Sequence, residues 1–228
     1  MLFSFFRNGF TAQAFIQILY FIPIYFITIT IHECAHGYTA YRMGDPTAKN
    51  MGRLTLNPIK HMDPLGLIIF AVAGFGWAKP VMINPRNFKN PKKGMALSAL
   101  AGPSSNILMA VAGAVIMGLI KFMYINFAAR QSAFVEMAWS FFSYFVTLNV
   151  YFAVFNLIPV PPLDGSRVVN YFLSPKLSYY YNYVERYGFI VLIILLYTGM
   201  LSMPLSFFSG LIVNGITFIL GFVPFLKF

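Results

Sequence analysis

Residues 31–37 read I-H-E-C-A-H-G and contain the pattern H-E-x-x-H. On an α-helix His32 and His36 are four residues apart, so both imidazoles project from one face about one turn apart. This spacing lets two side chains bind one Zn²⁺ ion. Glu33 is offset by about 100° around the helix from His32, so its carboxylate can reach a water held by the metal. We therefore predict that His32 and His36 are metal ligands and that Glu33 is a catalytic general base.

A chance match on a packed helix is the alternative interpretation of this motif. It is disfavoured because the motif ends an apolar run that begins near Phe10. Ionisable side chains inside a membrane span are energetically costly and usually mark function. Three of them within five positions are hard to explain by packing.

The composition indicates an integral membrane protein. The 228 residues are 59% hydrophobic and 10% charged, whereas soluble domains carry about 25% charged residues. A single cysteine excludes an internal disulfide and a cysteine-rich metal site. The net charge of +10 arises from basic residues scattered through short loops, which the positive-inside rule explains. We therefore expect a partnership with the lipid bilayer and none with nucleic acid.

Apolar stretches of sufficient length predict an α-helical polytopic membrane protein with about five to six transmembrane helices. The first stretch carries the H-E-x-x-H motif and the last two form a C-terminal helical hairpin with an external turn. The predicted spans are residues 11–41, 95–122, 134–157, 187–201 and 204–223.

A short re-entrant and β-hairpin-like element is predicted near the motif. Residues 64–76 are apolar but number only about 13, which is short for a span, and both flanks are basic. Such backbone is tolerated at membrane depth where protein or a water-filled cavity satisfies it. Residues 52–57 and 77–84 flank it and alternate polar with apolar side chains, which predicts two strands. Pro80 is compatible with an edge strand.

The basic residues predict the orientation. Residues 42–93 contain nine Lys or Arg and residues 161–186 contain three, against two in residues 121–133. The positive-inside rule places the first two regions in the cytoplasm, together with Lys227. We therefore expect a multi-pass protein of the plasma membrane whose site opens to the cytoplasm and whose N-terminus is outside.

A catalytic zinc site needs a third protein ligand and one open position. Glu136 is predicted on the opposite side of the membrane, and the loop residues fit turn or helix-cap chemistry. Asp164 follows a proline-rich span end, where irregular backbone should line a cavity. A turn aspartate before Gly165 is an equally good interpretation on spacing alone. The candidates are His61, Asp45, Asp63, Glu136, Asp164 and Glu185.

Three segments in this order resemble the motifs of the site-2 protease family of intramembrane zinc metalloproteases. They are residues 32–36 (H-E-C-A-H), 101–106 (A-G-P-S-S-N) and 156–165 (N-L-I-P-V-P-P-L-D-G). Residues 44–47 and 52–58 also resemble the short bacterial members. The resemblance extends from residue 32 to about residue 167. Many relatives carry a PDZ or a CBS domain, and residues 1–228 contain neither.

The resemblance implies one Zn²⁺ per chain, bound by His32, His36 and Asp164, with Glu33 as the catalytic base. It also implicates Asn156 in holding the substrate backbone.

Asn106 and Asn156 have a second interpretation, because polar side chains in spans often join neighbouring helices by hydrogen bonds. We predict that both asparagines bind substrate.

The resemblance further implies one integral membrane protease domain over residues 1–228, with a catalytic core at about 11–167 and the C-terminal hairpin at about 185–224. Its substrate would be a single-span membrane protein or a membrane-embedded peptide, cleaved in regulated intramembrane proteolysis or in clearance of membrane peptides. No oligomeric state is predicted.

Two other functions stay open. A metal-ion transporter would need further intramembrane acidic residues, and the chain has only six acidic residues in all. A catalytically silent pseudoprotease that binds membrane segments as a chaperone would not need Glu33, which is intact.

Overall fold

The computed structural model describes residues 12–63, 66, 79–126 and 133–221. Within those residues it contains α-helices and short 3-10 turns and no β-strand. The helices are α1 (Ala12–Arg42), α2 (Thr47–Asn50), α3 (Pro91–Asn126), α4 (Ala133–Asn156), α5 (Asp164–Phe172), α6 (Pro175–Glu185), α7 (Gly188–Tyr197) and α8 (Ser202–Gly221). The 3-10 turns are Pro58–His61 and Pro85–Asn87.

Four helices of the described part are long and apolar enough to cross a membrane: α1 from Ile18 onward, α3 to Ile125, α4 and α8. The chain is therefore an α-helical, multi-pass membrane protein. The count of five to six spans is not confirmed. The span predicted at residues 187–201 is the 10-residue helix α7, which is about 15 Å long and covers half of the hydrocarbon core.

The C-terminal hairpin differs from the prediction because α7 does not carry the chain across. Leu201, just before α8, and Leu205, in its first turn, share one apolar cluster with Phe155, at the end of α4, and Ile158, just after it. Helix α8 therefore begins on the side where α4 ends and runs antiparallel to α4. The turn before α8 lies on the same side as the end of α4, and not on the opposite side as expected.

The predicted strand at residues 52–57 is wrong. These residues form turns and bends that pack on α1. A Cβ on Gly37 would lie 2.8 Å from Leu54 Cδ2, so this side chain fills the groove beside the glycine. The Thr55 carbonyl accepts hydrogen bonds from Cys34 Sγ and His61 Nε2, both at 2.8 Å, which replace a strand partner.

The second predicted strand, residues 77–84, is described from residue 79 onward and is irregular there. The Lys79 N–H donates to the His61 carbonyl at 2.8 Å. Lys79 and His61, on either side of residues 64–78, are thus adjacent. The re-entrant segment predicted at residues 64–76 lies outside the described residues apart from residue 66.

Helix α3 lies at the centre and packs against α1, α4 and α5. Small side chains make close packing possible: Ala110 and Ala114 are buried against Val146 and Val150 of α4. A Cβ on Gly113 would come within 3.0 Å of Val146. Small residues at helix crossings are the usual basis of helix association in lipid, where burial in apolar surroundings supplies no extra driving force.

A proline-rich turn returns the chain from the end of α4 to α1. Prolines at 159, 161 and 162 prevent a regular helix over residues 157–163. A Cβ on Gly165 would lie 2.1 Å from the Leu157 carbonyl oxygen, so the first turn of α5 rests directly on the backbone after α4. This contact places Asp164, the first residue of α5, beside the middle of the molecule.

Candidate metal centre

His32, His36 and Asp164 converge in space. The two Nε2 atoms are 2.9 Å apart, and Asp164 Oδ2 lies 3.2 Å from His32 Nε2 and 3.3 Å from His36 Nε2. Both histidines are buried and the aspartate is half-buried. Among the described residues this is the group of three or more His, Cys, Asp or Glu side chains that could hold a metal ion.

The outer nitrogens of both imidazoles have hydrogen-bond partners. His36 Nδ1 donates to the Ser98 carbonyl oxygen at 2.7 Å, and His32 Nδ1 is 2.6 Å from Asn106 Oδ1. A neutral imidazole carries one proton, so a proton on Nδ1 leaves the lone pair of Nε2 directed into the cluster. Metal-binding histidines usually have such a partner behind the ring.

With both imidazoles neutral, two lone pairs and a carboxylate oxygen face one another, and Asp164 Oδ2 has no hydrogen-bond donor. A positive charge at the centre removes this repulsion, and either a proton on a ring or a metal ion can supply it. The donor set therefore fits a divalent cation.

The separations also fit zinc. Ligand atoms placed tetrahedrally around Zn²⁺ at 2.0–2.1 Å are about 3.3 Å apart. The two distances to Asp164 agree with that value, and the imidazole pair is closer by about 0.4 Å.

Gly102 brings the backbone of α3 up to the cluster. A Cβ at this position would lie 2.4 Å from His36 Cε1 and 2.6 Å from His32 Cε1. Contacts under 3.0 Å essentially do not occur between real Cβ atoms and other groups. Glycine is therefore required here if both rings are to keep their positions.

Glu33 flanks the cluster and is half-buried. Its Oε2 accepts a hydrogen bond from the Val81 N–H at 2.9 Å. Val81 belongs to the covering segment, which we define as residues 80–85. A cavity of about 420 Å³ lies beside the cluster and Glu33. It is lined also by residues 80–83 and 85 of the covering segment and by Met95, Ala99, Asn156 and Arg167.

Asp45 holds the covering segment in place. The carboxylate is fully buried and accepts hydrogen bonds from the Asn84 N–H at 2.7 Å and from Asn87 Nδ2 at 2.6 Å. It also accepts from the Thr47 hydroxyl and from the Thr47 N–H, the latter at 3.1 Å. Burial raises the pKa of Asp45, but these bonds outweigh that effect and lower it. Asp45 is thus a structural acceptor away from the metal centre.

The structure separates the two asparagines expected to bind substrate. Asn156 lines the cavity, and its Nδ2 donates to the Phe152 carbonyl one turn earlier in α4. Asn106 is fully buried behind His32, and its amide is engaged on both sides. The prediction that Asn106 contacts substrate is therefore corrected, since its amide faces an imidazole and another asparagine.

The remaining candidate ligands lie elsewhere. Asp63 accepts from the Gly66 N–H at 2.9 Å, which is turn chemistry as expected. His61 is buried against Thr55, and Glu136 lines a separate cavity formed by α3 and α4.

Arg167, a cavity residue that the sequence did not indicate, lies 3.4 Å from Glu185. Its position one turn after Asp164 on α5 is the signal that could have identified it.

Comparison with known proteins matches the part of the chain that contains the metal centre. Residues 20–196 match the model of peptidase family M50. A Bacillus subtilis (strain 168) protein named "Putative zinc metalloprotease YwhC" is 42% identical over 179 residues, covering 78% of this chain and 80% of that protein.

Two further relatives are more distant. "Putative zinc metalloprotease Rip2" of Mycolicibacterium smegmatis is 30% identical over 181 residues, covering 77% of this chain and 66% of that protein. "Zinc metalloprotease MJ0392" of Methanocaldococcus jannaschii is 25% identical over 180 residues, covering 78% of this chain and 42% of that protein. The chain thus spans less than two thirds of both relatives. No solved structure matches the chain.

Proposed function

This chain belongs to peptidase family M50, as its resemblance to site-2 proteases predicted, and on that premise we propose that it is an intramembrane zinc metalloprotease. The observation that carries the proposal is the convergence of His32, His36 and Asp164, whose metal-binding atoms lie within 4.8 Å of one another. Two imidazoles and one carboxylate form the ligand set of catalytic zinc sites that keep a fourth position open.

When bound, zinc supplies Lewis acidity, which lowers the pKa of a bound water towards about 7 and polarises a carbonyl group. Glu33 accepts a proton from the attacking water as its oxygen adds to the scissile carbonyl carbon. Glu33 then delivers the proton to the leaving nitrogen as the C–N bond breaks. The N–H of Val81 donates to the Glu33 carboxylate, and Glu33 lines the same cavity as the cluster.

The depth of the site supports a substrate within the membrane. His36 and His32 precede Arg42, the last residue of α1, by six and ten residues. At 1.5 Å per residue the cluster lies about 9–15 Å below that end of the helix. A peptide bond cut there belongs to a transmembrane segment or to the residues next to it. The segment must unwind locally, because a helical carbonyl is engaged in its own hydrogen bonds.

We propose that the unwound substrate lies extended along the covering segment. The N–H groups of Met82 and Ile83 make no hydrogen bond to another described residue. Consecutive N–H groups of extended backbone point to opposite edges, so one of these two can pair with an extended peptide by strand addition. Such pairing satisfies polar groups of the peptide at membrane depth. Asn156 Oδ1 can accept a substrate N–H from the opposite side of the cavity.

The test is a comparison of wild type with Glu33→Gln, each purified and assayed for zinc content and for cleavage of single-span proteins. Glutamine cannot accept the proton but leaves His32, His36 and Asp164 unchanged. We expect one zinc per chain in both proteins and cleavage only by wild type. Substantial cleavage by Glu33→Gln would refute the role of Glu33. Substrate binding without cleavage by wild type would indicate a chaperone in place of a protease.

A further inference from the structure

A row of buried amides connects His32 to the backbone of α4. His32 Nδ1 is 2.6 Å from Asn106 Oδ1. Asn106 Nδ2 donates to Asn149 Oδ1 at 3.0 Å, and Asn149 Nδ2 donates to the Phe145 carbonyl at 2.9 Å. Both asparagine side chains are fully buried, with 0% exposure. Asn149 lies outside the metal centre and has no place in the proposed reaction.

The row has a fixed direction because its last member is a carbonyl oxygen. The Phe145 oxygen can only accept, so Asn149 must turn its NH₂ group towards it. Asn149 Oδ1 is then the acceptor for Asn106, which must present its own NH₂ group. Asn106 Oδ1 is left facing His32, and Nδ1 of the ring must carry the proton. Reversing either amide would bring two acceptors or two donors to about 3 Å in a buried site.

We propose that Asn149 is a positioning residue that fixes the tautomer of His32 through Asn106. With the proton held on Nδ1, Nε2 of His32 presents its lone pair to the metal. The effect on metal binding rests on the proposed zinc site. Partners of this kind behind ligating histidines typically change metal affinity or activity by about 10–100-fold when removed.

The other ligand shows why Asn149 matters for only one of the two rings. His36 Nδ1 donates straight to the Ser98 carbonyl, a backbone group that no side-chain substitution removes. His32 depends on two side chains instead. Loss of Asn149 leaves the Asn106 amide free to rotate by 180°, and its NH₂ group would then favour the opposite tautomer of His32.

The first experiment compares Asn149→Leu with Val150→Ala, a neighbouring variant that removes buried apolar packing outside the row. Zinc affinity is measured by chelator competition on the purified full chain, with the midpoint of thermal unfolding as a second readout. We expect Asn149→Leu to weaken zinc binding by about 10–100-fold and Val150→Ala to leave it within threefold. Equal affinity in the two folded variants would overturn the proposal.

The second experiment does not depend on any variant of the row remaining folded. The chain has three histidines, so ¹⁵N NMR signals of the metal-free protein in lipid can be assigned with His36→Gln and His61→Gln. At a pH where the rings are neutral, we expect His32 to be protonated on Nδ1. Protonation on Nε2 would overturn the proposal. Failure of the proposed function would appear separately, as wild type that binds no zinc.

Discussion

The three candidate ligands come from two distant segments of the sequence and are positioned in different ways. The histidines are fixed by the rigid turn of α1, whereas Asp164 reaches them only through the packing of the turn after α4. Asp164 should therefore be the ligand whose removal is easiest to interpret, because its loss leaves the helix that carries Glu33 unchanged.

We predict that Asp164→Ala loses zinc and peptide hydrolysis together, with activity falling at least 100-fold. Asp45→Ala and Asp63→Ala are the matched controls and should keep their zinc, since both carboxylates accept hydrogen bonds from backbone groups away from the cluster. Metal analysis of the purified variants measures this directly. Full zinc occupancy in Asp164→Ala would mean that another residue is the third ligand.

The relative placement of His32, Glu33 and His36 could be predicted from the sequence because their geometry is local to one helix. Asp164 could not be assigned from spacing, since it follows a turn that lies 120 or more residues after the histidines, and only the resemblance favoured it. The prediction that Asn106 contacts substrate differs from the structure for a physical reason. A buried amide and an amide that lines a cavity look alike in a sequence, and only the contacts distinguish them.

At the scale of elements, the covering segment is held by polar contacts at two points, Glu33 and Asp45. Three residues after the segment, Phe88 fixes the chain against α3, since a Cβ on Gly94 would lie 2.3 Å from its ring. The polar anchor at Asp45 should respond to pH. Its pKa is lowered in the folded protein, so the ionised form is the one that stabilises the fold.

We predict that Asp45→Asn lowers the free energy of unfolding by about 2 kcal/mol at neutral pH, since hydrogen bonds to a charged group contribute about 1.5–3 kcal/mol each. The stabilisation by Asp45 is complete above the unfolded pKa of about 3.9 and is lost as the pH falls through the lower folded pKa. Unfolding of both proteins in micelles between pH 3 and 7 measures it. A difference that grows as the pH falls would contradict the assignment.

The covering segment also gives a prediction about substrate. Single cysteines at residues 80–84 should form disulfides with cysteines along a bound substrate segment, in a Glu33→Gln background without Cys34. We expect crosslinks that alternate with a period of two residues, because successive side chains of an added strand point in opposite directions. Crosslinks with a period of three to four residues, or none, would refute strand addition.

Long apolar helices were predicted more accurately than the loop elements. The spans at α1, α3 and α4 follow from apolar length alone. The alternation at residues 52–57 suggested a strand, but Leu54 turns inward because Gly37 leaves a groove for it. The apolar composition of residues 187–201 predicts a span. The helix there, α7, has only 10 residues because the turn at residues 198–201 ends it.

At the scale of the whole molecule, the helix directions place the ends of α1 and α4 and the starts of α3 and α8 on one side. The basic residues of segments 42–93 and 161–186 lie at those ends. The positive-inside rule then predicts that this side, including the opening beside the metal centre, faces the cytoplasm.

We predict that cysteines placed at Lys92, Lys176 and Met203 are shielded from an impermeant thiol reagent in intact cells, in a background without Cys34. The turn before α8 joins the cytoplasmic group because Leu205 packs beside the end of α4. A cysteine at Ile125, in the last turn of α3, should be labelled from outside. The reverse labelling pattern would overturn the orientation, and labelling of Met203 alone would restore the longer C-terminal hairpin.

The closeness of Gly102 to both imidazoles has a consequence for how genomes are interpreted. A variant with any larger residue at this position keeps H-E-x-x-H and Asp164 intact, so a search for the ligand and base residues alone would score it as an active enzyme. The added Cβ would nevertheless displace the rings that it meets at 2.4 and 2.6 Å. A natural chain of this kind would be an inactive protease with an intact H-E-x-x-H motif. The only difference in its sequence would be the residue of α3 that faces the two imidazoles.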